Sequence, residues 1–195
     1  MDRIGLNAEP GFFLLAAALY YWGGGAAVTA FFTAALVHEL GHLTALYLSG
    51  GEVRRLCLGG TGLVIEYAGA LTRRQEMGVT AAGPLAGLVF AAACFMTGSP
   101  YFHYTGAVAM LASMFNLLPV MPMDGGRLAM YILRSSLPEE MAAAILRAMG
   151  AVFGLGAAVT GAAFRSPAAA AAGIWLAALA NGHVLRYNRA HENRR

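Results

Sequence analysis

The chain has no lysine, only two cysteines and little charge of either sign; 12% of its 195 residues are charged, about half the share usual in a soluble domain. Cys57 and Cys94 lie in different segments and neither belongs to a CxxC pair, which excludes a disulfide framework and a zinc ribbon. All 13 basic residues are arginine and the net charge is only +3. These arginines sit between apolar runs, where they set orientation in a membrane, so the positive balance does not indicate a nucleic-acid partner. Internal repeats and low-complexity linkers are also missing. What the chain has in abundance is apolar side chain, 58% of the total, the composition of a small polytopic membrane protein whose first partner is the lipid bilayer.

Six apolar segments can be marked out: 11–22, 26–48, 77–97, 102–118, 139–164 and 166–184. The first, at 12 residues, spans a bilayer only by recruiting its flanks or crossing a thinned region. A signal peptide cut near Gly23-Gly24-Gly25-Ala26 is the rival reading, disfavoured because Asp2 and Glu9 offset Arg3. Read as two spans, the three glycines form a tight turn between membrane helices. Residues 1–10 are a short polar lead. Residues 52–67 are rich in β-branched side chains around Gly59-Gly60-Thr61-Gly62 and predict a short β-hairpin. The fourth segment breaks at 119–127, PVMPMDGGR, where two prolines and two glycines forbid a continuous helix. Backbone at that depth must then be buried in protein or line a cavity. A short helix is predicted to begin near Gly126, and Pro138 suits the start of the next.

With six spans, eleven of the thirteen arginines fall on one side, Arg165 alone on the other and Arg147 inside the fifth segment. That bias places both termini, the hairpin and the Asp124 loop in the cytoplasm of a cell-membrane protein. The expected fold is therefore an α-helical polytopic membrane protein of about six transmembrane helices with a short β-hairpin near the active site. It forms a single membrane-embedded domain over 1–195 with its core at 26–134.

The chemistry lies in His38-Glu39-Leu40-Gly41-His42. On a helix His38 and His42 are one turn apart and share a face, so both imidazoles can converge on one metal ion while Glu39, at the edge of that face, can hold the attacking water. Over residues 26–48 Glu39 is the only acid and there is no arginine. The 23 residues would run about 35 Å, enough to cross a bilayer. Ionisable groups at that depth are costly and default to a functional reading. The bland alternative, a buried helix of a soluble protein with two satisfied histidines, conflicts with the rest of the chain. A catalytic zinc takes three protein ligands, and Asp124, the only acid between Glu76 and Glu139, is the best third. An Asp-Gly-Gly after two prolines could instead be a turn or a helix cap. Glu39 is then the general base, and Asn116, the one amide of the fourth segment, could donate to the oxyanion or serve as an interhelical hydrogen bond. Gly83-Pro84 and Gly87 are read as packing positions. His103, His183 and His191 are read as surface or interfacial, and Met110, Met114, Met121 and Met123 as filling apolar gaps.

HELGH in one membrane segment, AGPLAG opening the next, and Asn116-Leu-Leu-Pro-Val-Met-Pro-Met-Asp124-Gly-Gly after the fourth resemble the site-2 protease family of intramembrane zinc metalloproteases. The resemblance runs from about residue 26 to 134. It implies one Zn2+ per chain held by His38, His42 and Asp124, with Glu39 catalytic, and hydrolysis of a peptide bond in or beside the transmembrane segment of a substrate. The substrate class it implies is a single-pass membrane protein, a transcription-factor precursor or anti-sigma-type regulator, with a regulatory membrane partner as a further candidate. The six-span plan is similar to the subgroup containing the sporulation protease that processes a sigma-factor precursor. It departs from that plan in lacking a C-terminal nucleotide-sensing module, and from the periplasm-facing branch in lacking a PDZ domain. Two rivals stand beside it: a metal-ion transporter, which needs polar residues along several helices, and an inactive homologue acting as a membrane scaffold, which normally loses a ligand or the glutamate.

Overall fold

The computed structural model describes residues 5–8, 10–59, 62–68, 70–166 and 170–178. The chain divides into two compact units, Met1–Met114 and Phe115–Arg195. The first contains strand β1 (Gly5–Ala8), helix α1 (Pro10–Leu48), strands β2 (Glu52–Gly59) and β3 (Gly62–Ala68), helix α2 (Arg73–Phe95) and most of helix α3 (Pro100–Asn116). The second contains helices α4 (Asp124–Leu133) and α5 (Glu139–Ala163), and residues 170–178 are also helical.

Helix α1 has a kink at the expected boundary between the first two segments. Residues 11–22 and 26–48 lie in two helical stretches that meet at a kink at Gly24, where φ is 67° and ψ is −168°. Only glycine adopts that conformation without strain, so the glycine triplet does break the helix, at one residue. At its other end α1 closes on Gly50, φ 78°, with Gly51 N–H donating to the Leu46 carbonyl and Gly50 N–H to the Tyr47 carbonyl, each at 3.0 Å. This is a Schellman motif, and it satisfies carbonyls that a membrane helix could not leave bare.

The strands form one sheet in the order β1-β2-β3. β2 and β3 run antiparallel with Gly59 opposite Gly62, and a register shift lies between Val53 and Arg55. β1 falls in the stretch taken from the sequence as a polar lead. It pairs parallel with β2, Gly5 opposite Arg55 and Ala8 opposite Leu58, and such a non-local pairing leaves no local signature.

α2 begins at a capping box. Thr72 N–H donates to Gln75 Oε1 at 2.8 Å, and Gln75 N–H donates to Thr72 Oγ1 at 3.4 Å. Its buried face is Thr80, Gly83, Pro84, Gly87, Ala91 and Cys94, and that of α3 is Thr105, Gly106, Ala109 and Ser113. Ala34 of α1, Ala91 and Ala109 pack together. Glycines make the closest approaches: a Cβ on Gly87 would lie 2.1 Å from Ser113 Oγ, and one on Gly106 2.8 Å from Cys94 Cβ. Meanwhile Leu36, Tyr47, Leu85, Val89 and Leu111 point outward. Small residues inside and large apolar ones outside is the packing of helices surrounded by lipid, where close backbone contact replaces the hydrophobic effect as the cohesive term.

The second unit is built the same way. α4 and the loop before it pack on α5 through Met121, Met130, Ala142, Ala143 and Leu146. Gly154 and Gly173 allow α5 and the 170–178 helix to touch, while Val152, Leu155 and Val159 face outward. Arg134 at the C-cap of α4 pairs with Glu139 in the first turn of α5 at 3.0 Å, each charge complementing its helix end. Pro138 is the N-cap of α5, and the stretch before α4 is non-helical, with a cis Met121–Pro122 bond.

Among the described residues three helices are long and apolar enough to cross a bilayer: Gly23–Leu48, Arg73–Phe95 and Glu139–Ala163. The six-span expectation exceeds this for three reasons. The helical stretch before the kink at Gly24 is short, α3 has 17 residues, and only 170–178 of the last segment is described as helix. Where α4 meets the preceding loop, a Cβ on Gly125 would lie 2.1 Å from the Leu117 carbonyl oxygen, an obstacle of backbone rather than side chain. Gly125→Ala is therefore expected to cost about 1–3 kcal/mol by overpacking. The check is thermal unfolding of the detergent-solubilised chain, where an unchanged midpoint contradicts the close approach.

Candidate metal centre

α1 brings His38 and His42 onto one face through their four-residue spacing, and His38 is buried while His42 is partly so. The Nε2 atoms lie 3.1 Å apart, and the rings meet edge to face with centroids 4.8 Å apart at 81°. His42 Nδ1 lies 2.8 Å from the Val79 carbonyl of α2. A carbonyl only accepts, so in this contact Nδ1 is the donor. α2 reaches this depth because Gly41 has no side chain: a Cβ there would lie 2.5 Å from the Ala82 carbonyl oxygen and 2.7 Å from Ala86 Cβ.

Asp124 is the first residue of α4 and is buried. A carboxylate in the first helical turn is favoured by the dipole and by the free N–H groups there. The two glycines that follow it let this turn sit against the preceding loop, since a Cβ on Gly126 would lie 2.6 Å from the Val120 carbonyl. His38, His42 and Asp124 each offer one ligand atom, and these atoms all lie within 4.8 Å of one another. Glu39, next to His38, is partly buried, and Asn116 closes α3, also partly buried; neither belongs to that group.

The donor set suits a zinc ion. Two imidazole nitrogens and one carboxylate oxygen make a three-ligand catalytic set, leaving a fourth position open. Nitrogens bound at about 2.0–2.1 Å on a tetrahedral ion stand about 3.3 Å apart, close to the imidazole spacing found. His103 is engaged elsewhere, its Nε2 lying 3.2 Å from the Phe95 carbonyl, and His183 and His191 lie outside the described residues. Of the methionines read as filler, Met121 is buried and Met110 and Met123 pack against buried clusters, whereas Met114 is exposed. Val79 and Gly83 were not legible as site residues: a backbone carbonyl carries no signal in the sequence, and the AGPLAG motif indicated packing alone.

Three comparisons with known proteins bear on this arrangement. Residues 98–157 match the family model described as peptidase family M50, a span that includes Asn116 and Asp124 and begins downstream of His42. Over 116 residues the chain is 34% identical to stage IV sporulation protein FB of Bacillus subtilis (strain 168), covering 55% of this chain. The matched stretch is 40% of that relative's length, so this chain spans well under two thirds of it. The site-2 protease from Methanocaldococcus jannaschii shares the fold, with a TM-score of 0.71 over 93% of this chain and 92% of that one at 20% identity.

His38→Ala and His42→Ala are each expected to lower zinc affinity by more than the roughly 10- to 100-fold typical of changes one layer outside the ligands. Metal content of the purified full chain after dialysis against a graded chelator reads this directly. Wild-type retention by either variant contradicts the ligand geometry.

Proposed function

We propose that this chain, whose residues 98–157 match the peptidase family M50 model, is an intramembrane zinc metalloendopeptidase of the site-2 protease type that cuts a membrane-bound substrate in or beside its transmembrane segment. The observation that carries the reading is the clustering of His38, His42 and Asp124, with Glu39 beside His38 in the same helix turn. The whole chain, 1–195, is read as one protease domain with its core at 26–134. Six spans and cytoplasmic termini, from the arginine bias, remain part of the proposal.

In this reading His38, His42 and Asp124 hold one zinc ion per chain, and Glu39 is the catalytic base. Zinc, when bound, supplies a Lewis acid that brings the pKa of water toward ~7 and polarises the scissile carbonyl. Glu39 accepts the proton of the attacking water and returns it to the departing amine, so that no charged fragment is released into an apolar surrounding. Asn116 is assigned the weaker role of donating to the oxyanion or to the substrate backbone. A transmembrane helix hides its amides in its own hydrogen bonds and must be extended before it can be cut. β3, at one edge of the sheet, offers backbone groups to which an unwound substrate strand can add.

The substrate class that fits is a single-pass membrane regulator with helix-breaking residues near its span, such as a transcription-factor precursor or anti-sigma-type protein; a membrane partner could gate entry. The transporter alternative needs a polar route. Among the described residues the buried threonines of α2 and α3 instead bond within their own helices, Thr80 to the Glu76 carbonyl at 2.8 Å and Thr105 to the Tyr101 carbonyl at 2.9 Å. The inactive-scaffold alternative is disfavoured by the presence of all four groups, His38, Glu39, His42 and Asp124.

Glu39→Gln separates chemistry from binding. Zinc content is expected to stay at the wild-type level while cleavage of a co-expressed membrane substrate falls by at least about 100-fold. Undiminished cleavage refutes the role given to Glu39. Asn116→Ala is expected to slow cleavage by about 100-fold or more if the amide stabilises the oxyanion, and an unchanged rate removes Asn116 from the catalytic group.

A further inference from the structure

We propose that α2 contains a positioning device for His42, made of the Val79 carbonyl and Gly83 one turn later, which selects the imidazole tautomer and holds its Nε2 edge toward His38; this role rests on reading the two histidines as zinc ligands. Two independent observations meet at this ring. The first is the 2.8 Å contact between His42 Nδ1 and the Val79 carbonyl. A neutral imidazole has a single N–H, so fixing it on Nδ1 bares Nε2, the atom 3.1 Å from His38 Nε2. The second is the space at Gly83. A Cβ there would lie 2.2 Å from His42 Nε2, 2.5 Å from Cε1 and 2.6 Å from Cδ2.

These two facts are linked through helix geometry. Helical side chains lean back over the turn before them, so the residue at position 83 overlies the carbonyl of residue 79. With glycine there, that carbonyl stays open to a second donor and the ring can lie flat along the α2 backbone. With any other residue, the ring edge carrying Nε2 is pushed away while Nδ1 is pulled from its acceptor. The motif containing Gly83 thus does more than allow close packing: it completes the layer around the metal ligands that orients an imidazole and raises its donor strength.

The test uses the full chain in detergent micelles. In the metal-free wild type, 15N spectra of ring-labelled histidine, with His42 assigned by its loss in His42→Gln, are expected to show Nδ1 protonated and Nε2 bare. The opposite tautomer, or an exchanging mixture, overturns the proposal. Chelator competition then compares Gly83→Ala with Gly87→Ala, a control whose added Cβ meets Ser113 Oγ instead of a ligand. Gly83→Ala is expected to lose roughly 10- to 100-fold in zinc affinity while Gly87→Ala keeps the wild-type value. Equal losses in both, or no loss in Gly83→Ala, overturn it. If Gly83→Ala does not fold, the wild-type tautomer decides. A wild-type chain that binds no zinc overturns the ligand reading itself, an outcome separate from a zinc-binding wild type with the wrong tautomer.

Discussion

Two imidazoles placed in a long apolar helix persist only if every polar atom they carry has a use, and the contact between α1 and α2 meets that condition for His42. Its Nδ1 proton goes to the Val79 carbonyl, and its Nε2 lone pair faces His38. The contact depends on what is missing from the two surfaces. Gly41 clears α1 for the Ala82 carbonyl and Ala86, and Gly83 clears α2 for the imidazole. In a bilayer such absences are an advantage, because backbone proximity and interhelical hydrogen bonds take the place of the driving force that water provides elsewhere.

The same economy runs through the rest of the described chain. Ala34, Ala91 and Ala109 meet inside, Gly154 and Gly173 meet inside, and large side chains such as Tyr47, Val89 and Leu155 turn outward. Helix ends are closed by their own sequence: the Schellman turn at Gly50-Gly51 and the capping box at Thr72 and Gln75 satisfy groups that lipid could not. Asp124 fits this pattern, a carboxylate at a helix start where free N–H groups favour it, followed by two glycines that the neighbouring loop requires. An acid so placed is both structurally tolerated and chemically available.

Sequence periodicity was enough to recognise the His38/His42 face, because the four-residue helix repeat is local, and enough to single out Asp124, because acids are so scarce in its surroundings. The break at 119–127 was legible for the same reason: proline and glycine act on their own backbone. Features that depend on a second segment were not. The pairing of Gly5–Ala8 with β2 has no trace in a four-residue polar stretch. The break at Gly24 was legible in the glycine triplet, though not that the dihedrals of one residue would make it. Gly83 was visible as small but not as the floor beneath an imidazole, since the ring it meets is that of His42, 41 positions away.

The proposed centre is two imidazoles and one carboxylate of this chain holding a single zinc ion. X-ray absorption at the zinc edge of the full chain in lipid nanodiscs tests it most directly. Two imidazole rings per zinc are expected in a four-coordinate shell of nitrogen and oxygen at about 2.0–2.2 Å, with the carboxylate contribution lost in Asp124→Ala. A zinc shell without imidazole, or a spectrum unchanged in Asp124→Ala, would contradict it.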